Sequence, residues 1–492
     1  MQPKTFRVII PSTLRVGEEF RIKVKAVGGV RDAPWGAYPE ESDDPMLGRY
    51  NLSPRGLRMK DDVPLGWRGV LEVEGTCGLV GPDHVHLGSE SGNFNPATGE
   101  WLAKLPRPVG AFEGFKFTEP GCGRVTLRNP GTGAVGVSNP AEVVEEGPEF
   151  RLYWGDLHCQ TFFSDGLRCP EELYEFAKEE GMLDIFGLAD HDYGLSQLQW
   201  RYFVEVTNSF YRPGEFVTIV GYEWTSDRYG HRNLHFPGDW GQLLKCTEKE
   251  GHTLERIREH ARRNGALLVP HHTANFKMGC SWDQGWDPEC ERLVEIYSVW
   301  GNSERPSSEG NTRPIRVSGG EREGQHVLDA LDRGYRFGFI GGGDTHDGRP
   351  GDELHTLQER EDYKLLWRQG IMGVWARELT REGVWEALWA RRVYASSNCR
   401  ILLWVTVCDA PMGSELRCSG PRRMAVRALG EGPISLLEVV RNRRTIAELR
   451  PHQETVSWSV EDTFAGPAYY YVRVTQEDGE MAWSSPVWVE PR

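Results

Sequence analysis

Positive charge is scarce in this 492-residue chain: 57 Lys and Arg stand against 72 Asp and Glu, a formal net charge of −15. Phosphate backbones and anionic bilayers reward clustered Lys and Arg, so neither nucleic acid nor a membrane is expected as the main partner. Long apolar runs are missing too. None approaches the roughly 20 residues that span a bilayer. The opening MQPKTFRVII lacks the basic stretch, apolar run and small-residue cleavage site of a secretory leader. The ten cysteines include no CxxC pair, so reduced, mostly buried thiols and a cytoplasmic location are expected. There is no internal repeat at a fixed period and no low-complexity tract. A small phosphorylated substrate stays compatible with the acidic balance, because a bound metal can dominate the local field.

What is present falls into three zones, more than one hydrophobic core usually serves. Residues 1–148 are rich in Gly and Pro, with short β-favouring runs such as FRVII, FRIKVKAV and GVLEVEG. FRIKVKAV alternates apolar and polar residues as a half-buried strand does, and a β-sandwich is expected. Residues 149–400 switch to strand–helix alternation: RLYWGDLH, then PEELYEFAKEEG with Pro early and Gly late, then DIFGLADH and FVTIVGYE. TLERIREHARRNG then precedes ALLVPHH, and HVLDALDRG precedes RFGFIGGGD. Such alternation implies a parallel sheet, open or closed into a barrel. Residues 401–492 return to short strands (ILLWVTV, LLEVVRN, AYYYVRV, PVWVE) and suggest a second β-sandwich.

In the middle zone nearly every expected strand ends in a potential metal ligand: His158, His191, Glu223, His271 with His272, and Asp344 with His346. In parallel βα folds the strand C-termini converge on one face, so these side chains are expected to meet there. Taken singly, a strand-end His is more often a hydrogen-bonded structural residue than a ligand. Independent structural histidines would not recur at successive strand ends. The His, Asp and Glu set suits Zn, Mn or Fe.

At these residues the chain resembles the PHP (polymerase and histidinol phosphatase) superfamily. The resemblance rests on Asp156-Leu157-His158-Cys159-Gln160-Thr161 followed by Ser164-Asp165-Gly166, then Ala189-Asp190-His191-Asp192. It continues through Gly221-Tyr222-Glu223, Val269-Pro270-His271-His272 and Gly343-Asp344-Thr345-His346. The 370–401 stretch narrows it to a PHP-like branch of unknown function with flanking β domains. The resemblance implies a distorted (β/α)7 barrel, between N-terminal and C-terminal β-sandwiches, holding two or three divalent ions (Mn, Zn or Fe). His158 and Asp344 would bind one ion, and Glu223 would bridge two. His191, His346 and Asp165 would hold another, with His271 or His272 completing the set. Asp190 would orient His191 and raise its basicity. Gln160 departs from the pattern, since the family has a second His there. A carboxamide is the weaker ligand, and one metal position is correspondingly in doubt.

Clustered divalent ions activate water and clamp attacking and leaving oxygens, which leads to a phosphoesterase acting on a small phosphomonoester or phosphodiester. Glu223, Asp190, His191 and Arg349 are the expected catalytic positions, with Arg349 chosen as a phosphate contact because its neighbours belong to the metal motif. Lys277, Arg305 and Arg313 are read as solvated charges, and His231 and His235 in GHRNLHF are left open. Ser164 lacks a nucleophile-elbow pattern, and Cys159 points away from His158 on an alternating strand. GGGD at 341–344 lacks the Lys-Ser/Thr of a P-loop and reads as room for a tight turn. Two other readings stand beside this one. The first is hydrolysis of a C–N or C–O bond, as in amidohydrolases; the second is a non-catalytic scaffold with a degenerate site. The oligomeric state is left open.

Overall fold

A computed structural model of the chain describes residues 2–28, 67–88, 93–95, 100–102, 108–166, 168–346, 348–351 and 366–492. The chain divides into two compact units, Met1–Glu149 and Phe150–Arg492.

The first unit holds an eight-stranded and a three-stranded sheet, besides a two-stranded pairing of Asn93–Asn95 with Glu100–Leu102. The alternation in FRIKVKAV becomes the Glu19–Val27 strand, which pairs antiparallel with Thr5–Ile9 and with Val109–Phe117. Phe20, Ile22 and Val24 face inward and join Phe115, Phe117 and Leu127 of the larger sheet and Ala141 and Val143 of the smaller one in a single core.

The second unit corrects the expected barrel. Strand accounts for 41% and helix for 14% of the structure. Among the described residues there are five α-helices, too few for a (β/α)7 barrel. Three short strands, Arg151–Asp156, Ile185–Gly187 and Val217–Ile219, do pair in parallel. Arg151–Asp156 then pairs antiparallel with Ile371–Ala376, and the sheet runs on through Val393–Ser396 into Met481–Ser484 and Ala468–Gln476. The C-terminal strands therefore extend the same 14-stranded sheet and do not form the separate flanking sandwich expected of them.

The reason lies in local turns. After Gly221–Trp224 the chain folds back on itself, with Gly230 N–H donating to the Ser226 carbonyl (2.7 Å) and Gly230 at φ 85°. That return gives an antiparallel hairpin with Arg232–His235 and no helix between the two strands; Arg232–His235 then pairs antiparallel with Leu267–Pro270, across the Leu254–Asn264 helix in sequence. A further small sheet pairs Leu293–Ser298 in parallel with Gly338–Gly341.

Where helices do form, their ends carry the expected signals. Pro170 opens Pro170–Glu179 with Glu171 and Glu172 in the first turn. Ser196 and Gln199 form a capping box at the start of Gln197–Ser209. Thr253 caps Leu254–Asn264, and Gly265 closes it in the left-handed conformation.

Candidate metal centre

Glu223, at the end of the Gly221–Trp224 strand and 1% exposed, is the hub of the site. Its Oε1 lies 2.9 Å from His231 Nδ1 and 3.5 Å from His271 Nε2. Its Oε2 lies 3.1 Å from His191 Nδ1 and 3.5 Å from His158 Nε2. Thr225 Oγ1 donates to Oε1 (3.0 Å). The residues come from separate strand ends, drawn together by an isolated parallel bridge between His191 and Glu223 and another between Cys159 and Thr345.

On one side of the hub, His158 Nδ1 contacts both oxygens of Glu295, at 3.1 and 3.0 Å, which turns Nε2 toward Asp344 Oδ1 at 3.4 Å. Gln160 Nε2 donates to Glu223 Oε2 (3.2 Å) and Asp344 Oδ1 (3.4 Å), so it occupies the space between two carboxylates. On the other side, Asp165 Oδ1 lies 3.2 Å from His191 Nε2 and 3.4 Å from His346 Nε2. Among the described residues, four groups of side chains bring their donor atoms within 4.8 Å of one another: His158/Glu223/His271, His158/Glu295/Asp344, Asp165/His191/His346 and His231/His271/His272.

The donor set fits metal ions. His158 Nε2, both ring nitrogens of His271, His272 Nδ1, Asp344 Oδ2 and Gln160 Oε1 are buried without a hydrogen-bond partner. A buried polar atom left in this way costs about 1–3 kcal/mol, and such a concentration in one place calls for a ligand.

Electrostatics point the same way. Burial resists charge on His158, but the carboxylates of Asp344 and Glu295 outweigh it and hold the imidazole well above its usual range. Burial likewise opposes charge on His191, and Glu223 and Asp165 raise it. His346 is raised to about 9, Asp165 overcoming burial. Glu223 is held well below the usual carboxylate range by His191 and His271 despite its burial. His271 and His272 are lowered by burial and by neighbouring imidazoles. The carboxylates thus draw positive charge to this point, which a divalent ion supplies more compactly than protons do.

Other carboxylates hold the frame. Asp156 accepts from the backbone N–H groups of His158 (2.9 Å) and Gly343 (2.8 Å), tying the His158 and Asp344 loops together, and burial raises it to about 7. Asp190 accepts from Thr161 N (3.0 Å) and Oγ1 (2.8 Å) and from Ser164 N (3.1 Å) and Oγ (2.9 Å). It therefore fastens the loop that carries Asp165, while the orientation of His191 comes from Thr225, whose hydroxyl is 2.8 Å from Nδ1. The glycines of GGGD make room for acids: a Cβ on Gly342 would lie 2.0 Å from Glu295 Oε2, and one on Gly343 2.5 Å from Asp156 Oδ2.

The structure thus gathers His158, Gln160, Asp165, His191, Glu223, His271, His272, Asp344 and His346 at one locus. Arg349 is buried with its guanidinium 5.4 Å from the centre of the Phe176 ring, beside Arg168 on the same ring at 5.1 Å. Arg313 is committed to Glu480 (3.2 Å), and Lys277 is exposed. Burial lowers His235 to about 3 and keeps it neutral. Sequence reasoning missed Glu295; the available signal was an acid in the middle of an otherwise apolar run, LVEIYS. His231, left open above, joins the cluster.

The comparisons with known proteins fall on this frame. The family model described as "Protein of unknown function (DUF3604)" matches residues 171–237 and 330–408. Those two blocks contain Asp190, His191, Glu223, His231, Asp344 and His346. Three chlamydial relatives, each bearing the description "Uncharacterized protein", are similar over most of the chain. The one from Chlamydia muridarum is 30% identical over 398 residues, covering 76% of this chain and 63% of its own length. Those from Chlamydia trachomatis and Chlamydia pneumoniae are 29% and 27% identical with the same coverage. The chain thus spans somewhat under two thirds of the length of these relatives. Among solved structures, the fibronectin(III)-like modules of Clostridium thermocellum CbhA cover 18% of this chain at 16% identity and a TM-score of 0.15, too low a score to inform the fold.

Proposed function

We propose that the chain is a metal-dependent hydrolase, with small phosphomonoesters or phosphodiesters as its substrates. The observation that carries this reading is the double engagement of Glu223, one oxygen facing His231 and His271 and the other His191 and His158. A carboxylate flanked by two imidazole sets is suited to bridge two cations. His158, Asp344 and His271 would hold one, and Asp165, His191 and His346 a second. This mixed nitrogen and oxygen set favours Zn, Mn or Fe. Divalent ions there would lower the pKa of bound water and neutralise charge on the reacting oxygens.

The chain's own residues supply the rest. Glu295 fixes the tautomer of His158, leaving Nε2 to face the cluster. Asp190 holds the Asp165 loop in register. Arg168 and Arg349, near the loops that carry Asp165 and His346, both pack their guanidinium groups on the Phe176 ring and anchor those loops to one point. The order and spacing of the five motifs resemble the PHP superfamily and support the phosphoesterase class over C–N or C–O hydrolysis.

The test is metal content by plasma mass spectrometry on wild type and His191→Ala, paired with turnover of chromogenic phosphomonoesters, phosphodiesters, carboxylic esters and amides. Two or more ions per chain, with metal-dependent phosphoester turnover lost in the variant, is the expected result. Turnover confined to amides or carboxylic esters would overturn the phosphoester assignment, and no stoichiometric metal after reconstitution would overturn the hydrolase.

A further inference from the structure

Far along the sequence from the ligand motifs, two cysteines stand in a relation that ordinary packing does not produce. The Sγ atoms of Cys408 and Cys418 are 3.1 Å apart, inside the contact distance of two unbonded sulfurs. Both residues are half-buried, so solvent reagents reach them. The backbone around Cys408 adds an independent observation. Val407 pairs with Ala410, so Cys408 and Asp409 are the two central residues of a hairpin turn, at φ 48° and 65°. That turn favours Asn, Asp or Gly at its first central position, and a residue such as Cys, without a local side-chain amide or carboxylate, is strained there. The strained residue is the one whose sulfur meets Cys418.

We infer that Cys408 and Cys418 are a redox-active pair that closes to a disulfide on exposure to low-molecular-weight disulfides. The step balances as two exchanges. One thiolate of the pair attacks a sulfur of the small disulfide, forms a mixed disulfide and releases one small thiol. The second thiolate attacks the protein sulfur of that mixed disulfide, forms the Cys408–Cys418 bond and releases the second small thiol. The pair loses two electrons and two protons, and the small disulfide becomes two thiols. Burial and the adjacent Cys418 push the Cys408 thiol up to about 11, so closure is slow at neutral pH and accelerates with alkalinity. Cys418 ends the Glu415–Cys418 strand, which pairs in parallel with the terminal Val487–Pro491 strand, so the bond ties the turn to the strand that seats the chain's last residues.

The sequence provides a clean readout, because Arg417 separates the two cysteines and tryptic cleavage after it leaves them on peptides 401–417 and 418–422. Full-length protein is incubated with glutathione disulfide, blocked with N-ethylmaleimide and digested without reductant. The expected result is a cross-linked pair of these peptides that separates on reduction, together with a rise of several degrees in Tm that reductant reverses. Cys408→Ser should abolish both while matching the Tm of the reduced wild type. Glutathionylated 401–417 or 418–422 without the cross-link, or both peptides blocked as free thiols, would overturn the inference. The mapping needs only wild-type protein, so a poorly folding variant leaves it testable.

Discussion

Replacing Glu223 by Gln keeps the shape of the hub and removes its charge, and the consequences can be scaled from the distances around it. At an effective dielectric constant of about 20, the Glu223 carboxylate and a protonated His191 ring 3.1 Å away attract by roughly 5 kcal/mol, and a cation seated against the same oxygen would be held on that scale. Part of that is offset, because an amide escapes the several kcal/mol that desolvating a buried carboxylate costs. A net loss of about 3 kcal/mol per ion remains, a weakening of metal affinity on the order of 100-fold. Since Glu223 faces both imidazole sets, both ions should be affected together. Folding stability should fall less than the 3–5 kcal/mol typical of a broken buried pair. His191, deprived of Glu223, sheds its proton and does not remain as an uncompensated charge. The assay is metal stoichiometry at controlled free Zn or Mn, with thermal scans of the chelated protein alongside. Wild-type affinity at both sites would refute the hub. Loss of one ion with the other retained would refute bridging while leaving a mononuclear site.

Four further outcomes follow from the same geometry. Glu295→Gln should lower metal affinity by about 10- to 100-fold with little loss of fold, since it frees the tautomer of His158, and competition with a fluorescent chelator reads this. Gln160→His should raise affinity by roughly 10-fold or add an ion, by placing an imidazole between Glu223 and Asp344; unchanged affinity and stoichiometry would count against the site at that point. Asp190→Asn removes the charged acceptor of four hydrogen bonds to the 161–164 loop and should cost about 2 kcal/mol by urea unfolding, while weakening the Asp165 cluster. His346, raised to about 9 from an unfolded value near 6.5, contributes stability that is complete below about 6.5 and lost as pH rises through about 9. Chelated protein should therefore lose up to roughly 3 kcal/mol across that window, and metal affinity should rise over the same range; a flat profile of both would contradict the assignment.

The residues that gather at the site were legible in the sequence because a strand end is a local event. A short apolar run terminated by His, Glu or Asp marks itself without knowledge of its partners, and that marked His158, His191, Glu223, His271, His272, Asp344 and His346. The barrel was not legible, because closure depends on how strands pair, and pairing is decided at turns. GYEW and RNLH look like members of an alternating series until the Ser226–Gly230 turn folds one onto the other. In the same way LLEVVRN reads as one short strand, whereas the structure runs it from Arg422 to Arg441 and bridges it to the central sheet through Ala468–Gln476 and Met481–Ser484. Glu295 escaped notice for the complementary reason: it ends no strand, and its role exists only through a contact 137 residues away in sequence.

The backbone at two of the clustered residues supports the view that the cluster is preorganised. Asp344 and His272 both carry positive φ, 50° and 31°, a conformation costing roughly 1–3 kcal/mol for a residue with a side chain. Neither sits in an exposed turn where such strain relaxes. Asp344 N–H donates to the His158 carbonyl at 2.7 Å, and the His272 carbonyl accepts from Asn275 N–H at 2.8 Å, so each strained residue is pinned on the loop it must present. Asp156 clamps the neighbouring Gly343 to the same His158 segment. A scaffold that merely packed histidines in its core would relax these two positions. Holding them in place makes sense if the geometry between Asp344, His158 and His272 is itself the product, fixed before a cation arrives.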